Sequence, residues 1–558
     1  MRIVILLALL ALAYTKLNAQ RPKIYKSIQA AEAAKDTIKI LQLSCPSEQD
    51  LSKISQFKYL EELDLSNNTI VDLPKELSEL RHLRRLFLAH SNILKVPSVV
   101  WEMKELELLD LAQNELTEIS TSIGNLKKLK TLSLEKNRLT ALPKEFGALS
   151  ALAQLKIGGN RFETLPLVIT ELVQLEQLSV VGRGLWKSYK DKTDKELANI
   201  GYVRSDLVVL VALPTELANL KNLRVLRLSQ NALEIVPSAI WKLENLEFLY
   251  LDNNIITQLD LGQMTLSKLG HLDLSYNKLE GLPAKIGALT ALSSLRLQSN
   301  ELKTLPLEIS QLKKLGSLYL TYNQLKEMPE GVTGCTNLSI LAMDANKLET
   351  LPASIENLDS LRSLYISNNK LKNLPPEIGT LAKLESIYLQ SNELKEFPEE
   401  ISQLKKLGWI YCNNNKLTSL PDNFGDLKKL RSLEASNNKL KTLPSSLDQL
   451  EMLETLSLSG NELVAFPKTW NWKQLENLKN LYLYNNKLKR ISITSDYAKQ
   501  LTGLRLYGNS IPTEKVKKLE ASVNAPLFER ERRCGSSRMM DIEMQGKGCS
   551  THRTRSVY

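Results

Sequence analysis

LSSLRLQSNELKTLPLEISQLKK, residues 292–314, runs directly into LGSLYLTYNQLKEMPEGVTGCTN, residues 315–337. The second block repeats the first position by position. Leu292, Leu295, Leu297, Asn300, Leu302, Leu305, Pro306 and Ile309 return as Leu315, Leu318, Leu320, Asn323, Leu325, Met328, Pro329 and Val332. Leu361, Leu364, Ile366, Asn369, Leu371, Leu374, Pro375, Ile378 and Leu381 fall in the same places again. The template L-x-x-L-x-L-x-x-N-x-L-x-x-L-P-x-x-I-x-x-L, with its 23-residue period, extends from about residue 38 to residue 511 of the 558-residue chain. A period of that length marks a stacked array, because one unit cannot bury its apolar face alone.

Each part of the template has a physical reading. In Leu-x-Leu the two apolar side chains share one face of a strand, so Leu364 and Ile366 point inward while Ser363, Tyr365 and Ser367 point out. Asn300, Asn323, Asn346, Asn369, Asn392 and Asn415 follow where the chain leaves the strand. A ladder of their amides can bond backbone groups that the turn would otherwise bury unpaired. The Leu-Pro step ends strand pairing, since proline has no donor and fixes φ. Apolar residues at steps of three then predict a helical or 3-10 return segment. Strands spaced ~4.8 Å apart on one side, with bulkier returns on the other, bend the stack into an arc whose concave face carries the strands.

On these residues the chain resembles a leucine-rich repeat protein of the LPxxI type, close to the secreted or surface families of bacteria. The resemblance implies an α/β fold, a solenoid of about twenty turns with a parallel sheet on the concave face and short helical or 3-10 segments on the convex face. It also implies a non-enzymatic binding function. Departures from the template are local. Ser91 stands for the ladder Asn, Ser120 and Asp260 stand for the Pro, Gln263 stands for an Ile, and Cys412 and Ala435 occupy strand-core positions.

The rest of the chain divides around the array. Met1 and Arg2, the apolar run Ile3–Ala13 and the small residues before Gln20 form a signal-peptide pattern with a cut after Ala19. The run is far shorter than the ~20 residues a membrane span needs. Residues 20–37 are expected to form an N-terminal capping segment, with an amphipathic helix over Ser27–Lys35 and the first strand at Ile38–Leu43. Residues 512–523 are expected to form a capping helix, and the aperiodic residues 524–558 a disordered basic tail. At 183–207 the template breaks: Arg183 replaces the ladder Asn, and an island with Trp186, Tyr189 and Tyr202 follows. It reads equally as an inserted loop on the binding face and as an eroded repeat.

Composition excludes several classes. The net charge of +11 comes from 73 basic and 62 acidic residues dispersed over every turn, so no clustered basic stripe marks a nucleic-acid partner. Five cysteines at irregular places do not form the paired end-staples of many animal and plant extracellular repeat proteins, which is a bacterial trait among secreted chains. Four dispersed histidines have no metal-ligand spacing, and no nucleophile elbow or phosphate loop is present. No cofactor or metal is expected. Some bacterial effectors of the resembled type carry a catalytic domain with a nucleophilic Cys; the tail around Cys534 is too short to hold one.

The concave face carries the functional signal. Between the strand leucines stand Tyr319, Ala342, Tyr365, Tyr388, Tyr411, Glu434, Ser457 and Tyr482, with Tyr250 earlier. Phe248, Trp409, Tyr484 and Tyr507 share that face, and Tyr276 and Tyr322 lie at its rim. The N-terminal turns show Asp64, Phe87, Asp110, Ser133, Lys156 and Ser179 instead. Tyrosine suits a strand surface and stacks between turns, yet tyrosine and tryptophan are also the anchors most enriched at binding hot spots. Tyr319, Tyr365, Tyr388, Trp409, Tyr411, Tyr482 and Tyr484 are therefore the expected partner-binding residues, with Trp186, Tyr189 and Tyr202 second. A protein partner of a monomeric chain comes first. A glycan, with tyrosines as platforms for sugar rings, is the alternative. An intracellular scaffold, as in Ras-pathway and plant relatives with LPxxI repeats, would follow if the export pattern were misread.

Overall fold

The computed structural model describes residues 23–184, 190–199 and 208–523. The signal-peptide pattern, the tail 524–558 and the island residues Trp186, Tyr189 and Tyr202 lie outside them.

The described residues form a solenoid around one parallel, unclosed sheet of 21 strands, nearly all three residues long. Each strand pairs with the next in register, so Leu295, Leu318, Leu341, Leu364 and Ile387 stack as one column. These leucines are fully buried, and their columns continue as a single apolar core from Ile28 to Val523. After each Leu-Pro step the chain makes a 3-10 turn such as Leu307–Gln311. The Pro306 carbonyl accepts from Ile309 N–H at 3.1 Å, so the missing proline donor is not needed. Where Ser120 replaces proline, its hydroxyl takes up the Ser122 N–H at 3.2 Å and the turn survives. Where Asp260 and Gln263 depart together, the described elements include no 3-10 segment between Tyr250 and His271.

The asparagine ladder forms as expected. Asn369 Nδ2 donates to Met343 O, Ile366 O and Ser367 O at 3.0–3.1 Å, and its Oδ1 accepts from Leu348 N–H at 3.0 Å. At the defect, the Ser91 hydroxyl donates to Leu65 O and Ala89 O, both at 3.1 Å. Cys412 in the core is fully buried, which pushes its thiol up far from reactivity.

The N-terminal end differs from expectation in detail. A two-residue strand, Ile24–Tyr25, pairs with Ile40–Leu41 ahead of the expected first strand, and the helix Ile28–Glu32 joins the two. Two residues are too few to show a period of two. At the far end, Pro512 precedes the helix Thr513–Ala521, which buries Val516 and Leu519. Glu520 Oε1 accepts from Leu506 N–H at 2.8 Å, taking the role that the next strand's carbonyl plays for Leu483 N–H. As for the island, Gln177–Ser179 pairs directly with Val225–Arg227. No strand therefore stands between these two in the sheet. The island's described part includes the helix Asp194–Asn199, with Leu197 buried.

Candidate partner-binding face

The residue between the two inward leucines of each turn, the last of the three in each strand, is free of core duty, so its identity is set by what the concavity must present. In-register pairing places Tyr365, Tyr388 and Tyr411 side by side on three consecutive strands. Their rings stack with centroids 4.4 and 4.7 Å apart and planes within 12° and 10°. Burial, with the neighbouring Tyr365 and Tyr411, holds the Tyr388 hydroxyl above its usual range, and burial with Glu434 does the same for Tyr411. These two hydroxyls are thus neutral donors near pH 7. Stacking covers both faces of Tyr388 and one face each of its neighbours, so ring edges and hydroxyls reach the concavity. Trp409, on the same strand and face as Tyr411, pairs with Ser386 and Ser432 and stays 38% exposed.

The seven expected residues share one face but form three groups. Ala342 separates Tyr319 from the row, and Glu434 and Ser457 separate the row from Tyr482. Tyr319 lies under the Arg296 guanidinium at 5.2 Å, while Tyr484 stacks on Tyr507 at 4.9 Å. The Tyr482 hydroxyl reaches Asn480 Oδ1 at 3.5 Å.

Sequence reasoning missed a mixed cluster before Tyr319. His271 lies 5.0 Å from Tyr250 and 6.3 Å from Phe248, and Arg227 covers Tyr250 at 4.8 Å. Burial holds His271 below its ordinary value, against the pull of Asp273, and its Nε2 has no hydrogen-bond partner among the described residues. The signal was present as Arg227, Tyr250, Asp273, Arg296 and Tyr319 at equivalent strand positions, but only the register shows which of them touch. Among the described residues, no cluster of His, Cys, Asp and Glu could hold a metal, and no helix is long and apolar enough to cross a membrane.

Comparison with known proteins agrees with the fold. The sequence matches the descriptions "Leucine-rich repeat region" at 352–439, "Leucine rich repeat" at 81–162 (in two overlapping matches), 249–302 and 313–371, and further leucine-rich repeat families at 59–80 and 221–263. Together these cover more than half of the chain. No match was found among curated proteins. A solved leucine-rich repeat protein of Leptospira interrogans is 28% identical with a TM-score of 0.59, covering 82% of this chain and 99% of its own. The ectodomain of the Arabidopsis receptor kinase HAESA, in complex with an IDA peptide hormone ligand, is 26% identical with a TM-score of 0.58, covering 87% of this chain and 82% of its own. YopM from Yersinia enterocolitica, at 23% identity, a TM-score of 0.54 and coverage of 84% and 87%, shares the fold.

Proposed function

The chain belongs to the leucine-rich repeat family, and on that premise we propose that it is a non-enzymatic binding module recognising a protein partner on its concave face. The observation that carries this reading is the stacked row Tyr365–Tyr388–Tyr411 flanked by exposed Trp409. A pre-stacked row loses little entropy on binding and presents apolar edges with hydroxyls, the mixture found at protein hot spots. Sugar recognition needs open ring faces, and the two stacked pairs cover four of the six in the row. Of this group, Trp409 keeps the largest open surface, so the geometry favours protein over glycan. The peptide complex of HAESA supports the same direction. The pattern of residues 1–19 supports export, with the mature chain acting outside the cytoplasm or at a bacterial cell surface.

The test begins with co-purification of partners on the mature chain and their identification by mass spectrometry, alongside a glycan array. Trp409→Ala with Tyr388→Ala should weaken the captured protein at least tenfold while circular dichroism stays unchanged. Undiminished binding by the folded double variant would remove the row from the site. N-terminal sequencing of native protein should begin at Gln20; an intact Met1 would overturn export.

A further inference from the structure

A hollow of about 1050 Å³ opens far from the tyrosine row, over the strands Gln154–Lys156, Gln177–Ser179 and Val225–Arg227 and across their rim. Its floor is bare because Gly158 and Gly182 stand where other turns carry side chains. The fold requires both glycines: a Cβ on Gly158 would meet Val181 O at 2.3 Å, and one on Gly182 would meet Gln230 O at 1.7 Å.

The charge around this floor is unbalanced. Elsewhere lysines meet glutamates of the neighbouring turn, as Lys128 meets Glu105 and Lys416 meets Glu393. In the hollow, Arg138 faces Glu115 at 3.3 Å, and Arg183 donates to Gly159 O and Asn137 O at 2.7 Å. Lys136, Lys156 and Arg227 meet no carboxylate among the described residues. Among the described lining residues the acidic side chains are Glu115, already paired with Arg138, and Glu135, whose carboxylate lies 3.4 Å from the Ser179 hydroxyl. Between the cations stand the amides of Gln154 and Gln177, each able both to donate and to accept.

We infer that this hollow is a second binding site, which takes an extended acidic segment of a partner polypeptide. The glutamines suit the alternating N–H and C=O of a peptide, and the unmatched cations suit its carboxylates. Among the described residues, no aromatic side chain lines the hollow to stack a sugar or a base, and Glu135 would repel an unbroken phosphate backbone. Spacing adds a constraint. Lys156 and Arg227 sit at one register position two strands apart, with Ser179 between them. That separation is about 10 Å, three residues of extended chain at ~3.3 Å each. A segment with acidic residues three apart, crossing the strands, would meet both cations. This site stands independently of the tyrosine row.

The probe is a fluorescein-labelled octapeptide of serines with two glutamates three positions apart, titrated into the full chain by fluorescence anisotropy. A twin with glutamine for glutamate and an oligothymidylate of similar length are the comparators. The glutamate peptide should bind at least tenfold more tightly than its twin, weaken as salt is added, and lose its advantage in Lys156→Gln/Arg227→Gln. Trp409→Ala should leave it unchanged. If the double variant fails to fold, Lys156→Gln alone carries the test, since that exposed side chain has no partner among the described residues. Equal binding of the two peptides, no binding, tighter binding of the oligothymidylate, or an undiminished preference in the folded variant would each overturn the inference.

Discussion

Around Asn137 and around Asn369 the backbone makes the same bonds. Asn137 Nδ2 donates to Leu111 O and Leu134 O at 2.9 and 3.1 Å and its Oδ1 accepts from Leu116 N–H at 3.0 Å, and Asn369 repeats this with Met343, Ile366 and Leu348. The outward faces of the two regions have little in common. One carries Lys156, Gln154, Gln177 and two bare glycines around a polar hollow; the other carries three stacked tyrosines and a tryptophan. Inward positions are bound by packing and by the need to pair every buried polar group, so they repeat. Outward positions touch solvent and their register neighbours alone, so they can diverge without cost to the scaffold.

The largest expected effect tests the common scaffold. Asn137→Leu and Asn369→Leu should each orphan several buried backbone groups at ~1–3 kcal/mol apiece, and by similar totals. Hydrogen exchange should show opening that begins in the adjacent turns in both cases. A large loss at one site and none at the other would mean that the halves are not held alike.

Next comes the functional contrast. Trp409→Ala with Tyr388→Ala should cost ~2 kcal/mol or more of affinity for a captured protein partner, measured by calorimetry. Ser133→Ala, on the polar half, should cost nothing measurable. Equal losses would place the contact across the whole arc.

A smaller effect separates stacking from binding. Tyr388→Ala removes two ring pairs and should lower folding stability by ~1–3 kcal/mol in denaturant titration. Lys156→Gln, whose side chain is exposed and unpartnered among the described residues, should leave the midpoint unchanged. A stability-neutral Tyr388→Ala would show that the stack contributes no cohesion of its own.

The smallest pair concerns the residue before the ladder Asn, which holds a left-handed φ in both halves: +67° at Gly159 and +52° at Ala345. Gly159→Ala should destabilise and Ala345→Gly stabilise, each by ~0.5–1 kcal/mol, because a Cβ is strained there. Thermal melts reading the same sign for both would break the equivalence of the two turns.

Much of this was legible in the residues. Leu-x-Leu, the ladder Asn and Leu-Pro dictated strand, inward turn and 3-10 return, since each follows from local geometry repeated many times. That Tyr365, Tyr388 and Tyr411 share a face was equally readable from the period. The strand Ile24–Tyr25 was not, being too short for a pattern, and neither was the cap in which Glu520 replaces a missing strand, because that bond joins a helix to a strand it follows at a distance. The direct pairing of Gln177–Ser179 with Val225–Arg227 across the island was not readable either, because the template break leaves open which strand follows.

By itself, then, the sequence determined the solenoid, its register and which side chains look outward, because a repeat contacts only its neighbours and local rules propagate without interference. Tertiary structure decided what the outward side chains do together. It turned the tyrosines into a stack with covered faces, set Arg227 over Tyr250 and Arg296 over Tyr319, and left Lys136 and Lys156 unmatched around a floor of glycines. Those outcomes depend on distances between turns and on which charge finds a partner, quantities that exist only once the strands lie side by side.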